Sequence, residues 1–288
     1  MREMIILSLF MAVSGSCNSF HGKPEFSWTY TNLLEDSRIV DLHNVEEIIE
    51  LCCLTVRDHF DYGSIQVEIE PCQDFEGRMR LVDGVIHCRI FTFGSKVSVQ
   101  HLQRYAHIFT HELAEWMLGL DSYHGGTLYL HDRSNRWIGE GIAEYLSTLA
   151  LLRARDEGYP LMEGMHPRMS QLDHAEEKRI DAVNLGGWEI YLAGERKSST
   201  LLVNLCYVSA ECLISRWILA AGENGLDNPL KSLWLWLLNH EGPRYREITD
   251  WMEEVSGLPI AKMAKCVAIS DVKKYCEDIL IPDPMVRH

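Results

Sequence analysis

The run His111-Glu112-Leu113-Ala114-Glu115 is the part of the sequence best suited to chemistry. Side chains four positions apart lie on one face of a helix, so His111 and Glu115 can approach the same ion. Zinc accepts both imidazole nitrogen and carboxylate oxygen. A carboxylate beside the first ligand can take a proton from water activated at the metal. The spacing therefore predicts a metal site with His111 and Glu115 as ligands and Glu112 as the general base.

The usual zinc-binding helix carries a second histidine at the position that Glu115 occupies. A ligand set of one imidazole and two carboxylates would neutralise the charge of a divalent cation. The bound ion would then lower the pKa of its water less than an ion that is held by two imidazoles and one carboxylate. Oxygen-rich sites also suit harder ions. The predicted cofactor is therefore Zn²⁺ or another divalent ion such as Mn²⁺.

A second stretch, residues 137–145, could supply a third ligand. It carries Glu140 followed by Gly141, with Glu144 one helical turn later. Glu140 can complete a set of three ligands. A carboxylate at Glu144 can hold the outer nitrogen of His111, as is common around metal-bound histidines. The combination is much rarer by chance than either stretch alone.

Together the two stretches resemble the gluzincin metallopeptidases, especially the aminopeptidase-N-like branch and the bacterial peptidase-MA-like proteins. The similarity covers roughly residues 100–220. The matching positions are His111, Glu112, Leu113, Ala114 and Gly119 in the first stretch, and Trp137, Glu140, Gly141, Ala143 and Tyr145 in the second.

The resemblance implies a zincin-like fold that hydrolyses peptide bonds. In that family the first His, the second His and the downstream Glu bind zinc, which here correspond to His111, Glu115 and Glu140. The family also uses a tyrosine from a later helix to stabilise the oxyanion. Tyr207 lies in the matching neighbourhood, and Tyr191 is the alternative.

The sequence departs from the family pattern in two places. Glu115 replaces the second histidine, and the spacer before Glu140 is longer than the family's usual spacer. The insertion, residues 121–135, contains His124 and His131, either of which could supply a nitrogen ligand.

A rival ligand set uses His107, one turn before His111. His107, His111 and Glu140 would restore two imidazoles and one carboxylate. Nothing in the sequence resembles the family stretch that grips a substrate N-terminus, so exopeptidase activity is not predicted.

The first 17 residues resemble an export signal. Arg2 precedes a short apolar run over residues 4–13, which is too short to span the ~30 Å of a bilayer. Small residues then lead to Cys17, as in the lipobox of bacterial lipoproteins. We expect an exported protein, either secreted or attached to the cell envelope through a lipidated Cys17, with a linker over residues 18–30.

Composition narrows the possible partners. The chain has 288 residues and a formal net charge of −15, which argues against binding nucleic acid. The expected partner is a peptide or protein substrate. The cysteines after the signal allow disulfides in an exported chain: Cys72 and Cys88 flank a predicted strand pair, and Cys266 and Cys276 flank a predicted turn. Buried free thiols are an equally good interpretation.

Periodicity predicts an α+β fold in which residues 31–288 form one zincin-like domain, with an α+β part (31–100), a mainly helical part (101–288) and the site between them. The predicted strands are 65–70, which Pro71 would end, and 84–91. The predicted helices are 44–60, a long helix from residue 99, 137–153, 201–221, 228–239 and 246–256, with an irregular connection over 155–198, and residues 260–279 are expected to close the domain.

Two functions stay open at this point. One is an exported metallopeptidase. The other is a catalytically degenerate protein of the same fold, with a binding or scaffold role in the cell envelope. The substitution at Glu115 favours the second function, whereas the presence of both Glu112 and Glu140 favours the first.

Overall fold

The fold is mainly helical, with a small sheet near the N-terminus. The computed structural model describes residues 26–30, 42–60, 65–72, 80–82, 85–91, 99–118, 133–159, 168–192, 197–240 and 242–280. The predicted α+β class is confirmed. The expected export signal, Cys17, Gly119, His124 and His131 lie outside the described residues.

The N-terminal sheet has the strand order β1-β2-β4-β3, with β1 (Phe26–Tyr30), β2 (Ile65–Cys72), β3 (Arg80–Val82) and β4 (Val85–Phe91). The first two strands are parallel, as are β2 and β4, and β3 is antiparallel to β4. Parallel neighbours need a crossover connection, and helix α1 (Leu42–Arg57) lies in the connection between β1 and β2.

The later helices carry the site. Their bounds are α2 (Val99–Met117), α3 (Arg136–Asp156), α4 (Met169–Glu177), α5 (Trp188–Leu192), α6 (Lys197–Glu223), α7 (Pro229–Leu238), α8 (Tyr245–Ser256), α9 (Ile260–Met263) and α10 (Ile269–Leu280). The apolar stripe predicted for α2 is buried at Ala106, Phe109, Leu113 and Met117. The core lies where this stripe meets α1 and α3, and where α3 in turn packs on α6.

Two predictions about the sheet differ from the structure. Phe26–Tyr30, placed in the expected linker, forms strand β1. Strand β2 continues through Pro71. Its pairing with β1 ends at Ile69, so the N–H that proline lacks removes no backbone hydrogen bond to β1. Local sequence could not show either feature, since both depend on which strand lies alongside.

One prediction about the C-terminal half was also wrong. The segment 155–198 contains α4, α5 and a short strand β5 (Ala182–Val183), where an irregular connection was expected. Residues 260–279, expected to close the domain, span α9, strand β6 (Val267–Ala268) and α10, and β6 pairs with β5. This pairing joins segments far apart in sequence, which a local period does not record.

The cysteine pairs do not form the disulfides considered above. Cys266 and Cys276 are free thiols. On the sheet, Cys72 pairs in register with Phe91, and Cys88 pairs with Ile69. The two cysteines are therefore offset along the strands by roughly 10 Å, beyond the reach of a disulfide.

Helix α6 is long and apolar enough to cross a membrane by length and composition alone. The segment Thr200–Glu223 has a mean hydropathy of 1.3, but 56% of its most apolar window is buried inside the fold. Trp217 on this helix donates its indole N–H to the carbonyl of Met252 on α8, at 3.2 Å. These contacts are those of a core helix packed on its neighbours.

A glycine sets the distance between α3 and α6. A Cβ atom at Gly141 would lie 2.8 Å from the carbonyl oxygen of Ala210 and 2.9 Å from Cγ1 of Ile214. The nearer atom is backbone, so a side chain could be accommodated only by moving one helix. Gly141 therefore allows the close approach that brings Tyr207, one turn before Ala210, towards α3.

We expect Gly141→Ala to lower the free energy of unfolding by about 1–3 kcal/mol, because the added methyl group overpacks the contact with α6. Urea denaturation measures this change. Gly222→Ala is the matched control: nothing lies within 4 Å of its Cβ position, so its free energy of unfolding should stay the same or rise by up to about 1 kcal/mol. Equal effects of the two changes would contradict the packing argument.

Candidate metal centre

Helices α2 and α3 bring two carboxylates to one nitrogen of His111. Its Nε2 atom lies 3.3 Å from Oε1 of Glu115 and 3.2 Å from Oε2 of Glu140. His111 and Glu115 are one turn apart on α2, and Glu140 lies near the start of α3. One donor atom from each residue lies within 4.8 Å of the others. The structure thus gathers the three side chains predicted as ligands.

The other nitrogen of His111 faces Glu144. Its Nδ1 atom lies 3.3 Å from Oε1 of Glu144, an ion-pair contact without hydrogen-bond geometry. The expected position of Glu144, one turn after Glu140 and behind His111, is therefore correct. A carboxylate in this place favours the orientation in which Nε2 points at an ion.

Two arginines that the sequence reasoning missed hold the carboxylates. Arg168 donates to both oxygens of Glu144, from Nε at 3.1 Å and from Nη2 at 2.5 Å. Arg136 donates from Nε to Oε1 of Glu140 at 3.0 Å. The spacing of Arg136 and Glu140, four positions on one helix, is a recognisable ion-pair pattern. Arg168 has no such pattern, because its partner is distant in sequence.

The rival ligand set is not assembled as expected. His107 faces Glu144 and not Glu140: its Nε2 atom lies 3.5 Å from Oε1 of Glu144. A second group of donors therefore consists of His107, His111 and Glu144. This group shares His111 with the first group but uses a different carboxylate.

Burial and charge act in opposite directions on these groups. Burial alone would lower the pKa of His111, but its contacts with Glu115, Glu140 and Glu144 raise this pKa well above the ordinary value. Burial alone would raise the pKa of Glu144, yet His107 and Arg168 hold this pKa well below its usual range. In the absence of an ion, the imidazolium of His111 is thus the cation that the carboxylates surround.

The pKa values of Glu115 and Glu140 are shifted in opposite directions, although both carboxylates face the same nitrogen of His111. Burial, with repulsion from Glu140 in addition, raises the pKa of Glu115 to about 7 despite the opposing effect of His111. For Glu140, burial would raise the pKa, but His111 and Arg136 lower it. Glu140 is therefore the fixed negative charge of the pair, and Glu115 is the one that titrates near neutral pH.

Tyr207 lies at the edge of this cluster. Its ring centroid is 6.1 Å from that of His111, and it packs edge-on against Trp188 at 4.8 Å. Burial, followed by the charge of Glu140, raises the pKa of Tyr207 to about 12. Its hydroxyl therefore stays protonated at neutral pH and can donate a hydrogen bond.

The other predicted residues are placed as follows. Glu112 is exposed on α2, beside His111. Tyr191 lies against Gly187, where a Cβ would meet its hydroxyl at 3.3 Å, whereas the ring that packs near His111 is that of Tyr207. Tyr207 is consequently the better placed of the two tyrosines. The described side chains of the site come from helices and from Arg168.

The donor set fits a divalent cation. The side chains of Glu140 and Glu144 are only 4% and 2% exposed, and buried carboxylates are costly unless cations compensate them. Nε2 of His111 already faces two carboxylate oxygens, and Nδ1 faces a third carboxylate. These buried groups could hold an ion, and nitrogen with carboxylate oxygen suits several divalent metals.

No protein-family model matches the chain, and no curated protein matches it.

Binding of a divalent ion should release protons, because an ion must displace the proton on His111 and the proton that Glu115 shares near neutral pH. We expect the affinity for Zn²⁺ to fall as the pH is lowered from roughly 8 to 6, a range that brackets the pKa of Glu115. Calorimetric titration in buffers of different ionisation enthalpy counts the protons. Glu115→Gln should release fewer protons than the native chain, whereas an unchanged count would place Glu115 outside the site.

Proposed function

We propose that the protein is a metal-dependent hydrolase that cleaves peptide bonds, with His111, Glu115 and Glu140 holding a divalent ion. The observation that carries the proposal is the convergence of Glu115 and Glu140 on Nε2 of His111, with Glu144 behind the ring at Nδ1. Zinc or manganese is the metal that this mixed nitrogen and oxygen set suits best. When bound, the ion supplies Lewis-acid activation of water and of a carbonyl group.

Each protein group then has a distinct role. Glu112 is exposed beside His111, where its carboxylate can accept the proton from an attacking water and return it to the leaving amine. The protonated hydroxyl of Tyr207 can donate to the oxygen that becomes negative during the attack. Glu144 keeps the imidazole of His111 in one orientation. Peptides are proposed as substrates because of the resemblance to gluzincin peptidases in the two sequence stretches.

Export belongs to the same proposal. The first 17 residues resemble a signal sequence that ends in Cys17. An enzyme carrying it would work outside the cytoplasm or on the cell envelope, on peptides or proteins found there.

The second candidate is a metal-free binding or scaffold protein, and one observation favours it. The cluster is electrically balanced without an ion, because His111, Arg136 and Arg168 face the carboxylates of Glu115, Glu140 and Glu144. Metal analysis of the purified protein, after separate incubation with Zn²⁺ and Mn²⁺, distinguishes the two. Stoichiometric metal supports the hydrolase, and its absence with both ions overturns it.

Glu112→Gln should reduce the rate of peptide hydrolysis by about 10²- to 10⁴-fold, because the general base is lost. Its affinity for Zn²⁺ should change little, since Glu112 is not among the proposed ligands. Cleavage of a quenched-fluorescence peptide library measures the rate, and calorimetry measures the affinity. Equal loss of both would mean that Glu112 supports the metal site and is not the base.

Tyr207→Phe should reduce kcat by about 10²- to 10³-fold with little change in KM, because only the hydrogen bond to the developing negative charge is removed. Tyr191→Phe is the matched control and should leave kcat unchanged. A larger effect at Tyr191 than at Tyr207 would reverse the assignment of the oxyanion donor.

Glu115→His should raise the affinity for Zn²⁺, because it recreates the stronger pair of imidazole ligands with a side chain of similar reach. Calorimetry or competition with a coloured chelator measures the change. An affinity equal to that of the native chain would show that position 115 does not contact the metal.

A further inference from the structure

Two overlapping groups of donors compete for a single histidine. The first consists of His111, Glu115 and Glu140, and the second of His107, His111 and Glu144. The first group faces Nε2 of His111, and the carboxylate of the second group faces Nδ1. A neutral imidazole binds an ion through one nitrogen and carries its proton on the other. One ion can therefore use one group or the other.

The two groups differ in how their buried carboxylate is held. Arg136 donates to Oε1 of Glu140, whereas Oε2 faces His111. Arg168 instead binds both oxygens of Glu144, and its shorter contact, 2.5 Å, is to Oε1. That is the same oxygen that faces His107 and His111. An ion in the second group would have to displace the guanidinium from this atom.

Arg168 is also held from its other side. Its guanidinium carbon lies 4.7 Å from the ring centroid of Tyr207, a cation–π contact. Its side chain is only 16% exposed. Withdrawal into solvent would break two charge-assisted hydrogen bonds and this ring contact, and would leave Glu144 as an uncompensated buried charge. The second group is thus blocked by a well-fixed cation.

We propose that Arg168 selects which group of donors holds the ion, by occupying the oxygen of Glu144 that the second group requires. The inference rests on the proposed metal site. With Arg168 in place, the ion binds at Nε2 of His111 with Glu115 and Glu140, and Glu144 positions the ring. Without Arg168, Glu144 becomes a ligand, and His107 joins it.

The test compares the Zn²⁺ affinity of four proteins: the native chain, His107→Gln, Arg168→Gln and the double variant. In the native background, we expect His107→Gln to change the affinity by less than about threefold. In the Arg168→Gln background, the same change should weaken binding by about tenfold or more, as expected for loss of a group that contacts the metal site. The difference between the two backgrounds is the coupling between His107 and Arg168.

Two results would overturn the selection by Arg168. One is a large loss of affinity on His107→Gln in the native background, which would place the ion in the second group from the start. The other is no effect of His107→Gln in either background. Arg153→Gln, which removes an arginine from the more exposed ion pair with Asp58, is the control for loss of a positive charge and should not make binding depend on His107.

A measurement on the native protein keeps the inference testable if Arg168→Gln does not fold. X-ray absorption of the zinc-loaded native chain counts imidazole ligands, and we expect one. Two imidazoles would overturn the inference.

Failure of the proposed function gives results that differ from those expected if the inference about Arg168 fails. A native chain that binds zinc through one imidazole but cleaves no peptide refutes the hydrolase and supports the selection. A native chain that binds no zinc refutes the proposed metal site. In that case the Arg168→Gln variant decides. If this variant binds zinc in a way that depends on His107, the blocking role of Arg168 is still supported. If this variant shows no such zinc binding, the blocking role is overturned.

Discussion

The site depends on positive charges that compensate three carboxylates around His111, of which Glu140 and Glu144 are buried and Glu115 is partly buried. Each would be strongly unfavourable alone, because burial penalises the ionised form. The imidazole of His111 contacts all three, and Arg136 and Arg168 bind two of them from outside. The positions of α2, α3 and the chain at Arg168 are thus tied to one another by charge as well as by apolar packing.

Apolar packing sets the precision of this arrangement. Gly141 lets α3 approach the backbone of α6 at Ala210, and Ser147 on α3 donates to the carbonyl of His107 on α2 at 3.0 Å. These contacts lie directly beside the charged groups. A shift of about 1 Å between helices would change hydrogen-bond distances from favourable to weak, because such bonds depend steeply on geometry.

Sequence alone could predict the parts of this site that lie within single helices. The spacing of His111 and Glu115, and of Glu140 and Glu144, follows from the helical repeat, and the structure places each pair on one face. The long helices were predicted closely for the same reason. Arg168 could not be found in this way, because its contact with Glu144 depends on how two helices and a connecting segment pack.

The errors in the fold predicted from the sequence have a similar origin. Strand β1 was placed in a linker, and β5 in an irregular connection, because both form through pairing with distant segments. A local period records which residues face the core, but it does not record which strand lies alongside. The packing of Tyr207 between His111 and Trp188 is another long-range result.

The glutamate at position 115 has a consequence beyond the choice of metal. A histidine there would remove one negative charge facing Nε2 of His111, so His111 would hold its proton less strongly. With Glu115 present, the same carboxylates that could bind an ion also stabilise the imidazolium that competes with it. Under the proposed function, a glutamate at this position would therefore tie ion binding to proton release more tightly than a second imidazole would. At acidic pH, such a site would lose its ion readily when the metal concentration is low. Its occupancy by metal would rise with pH as His111 loses its proton.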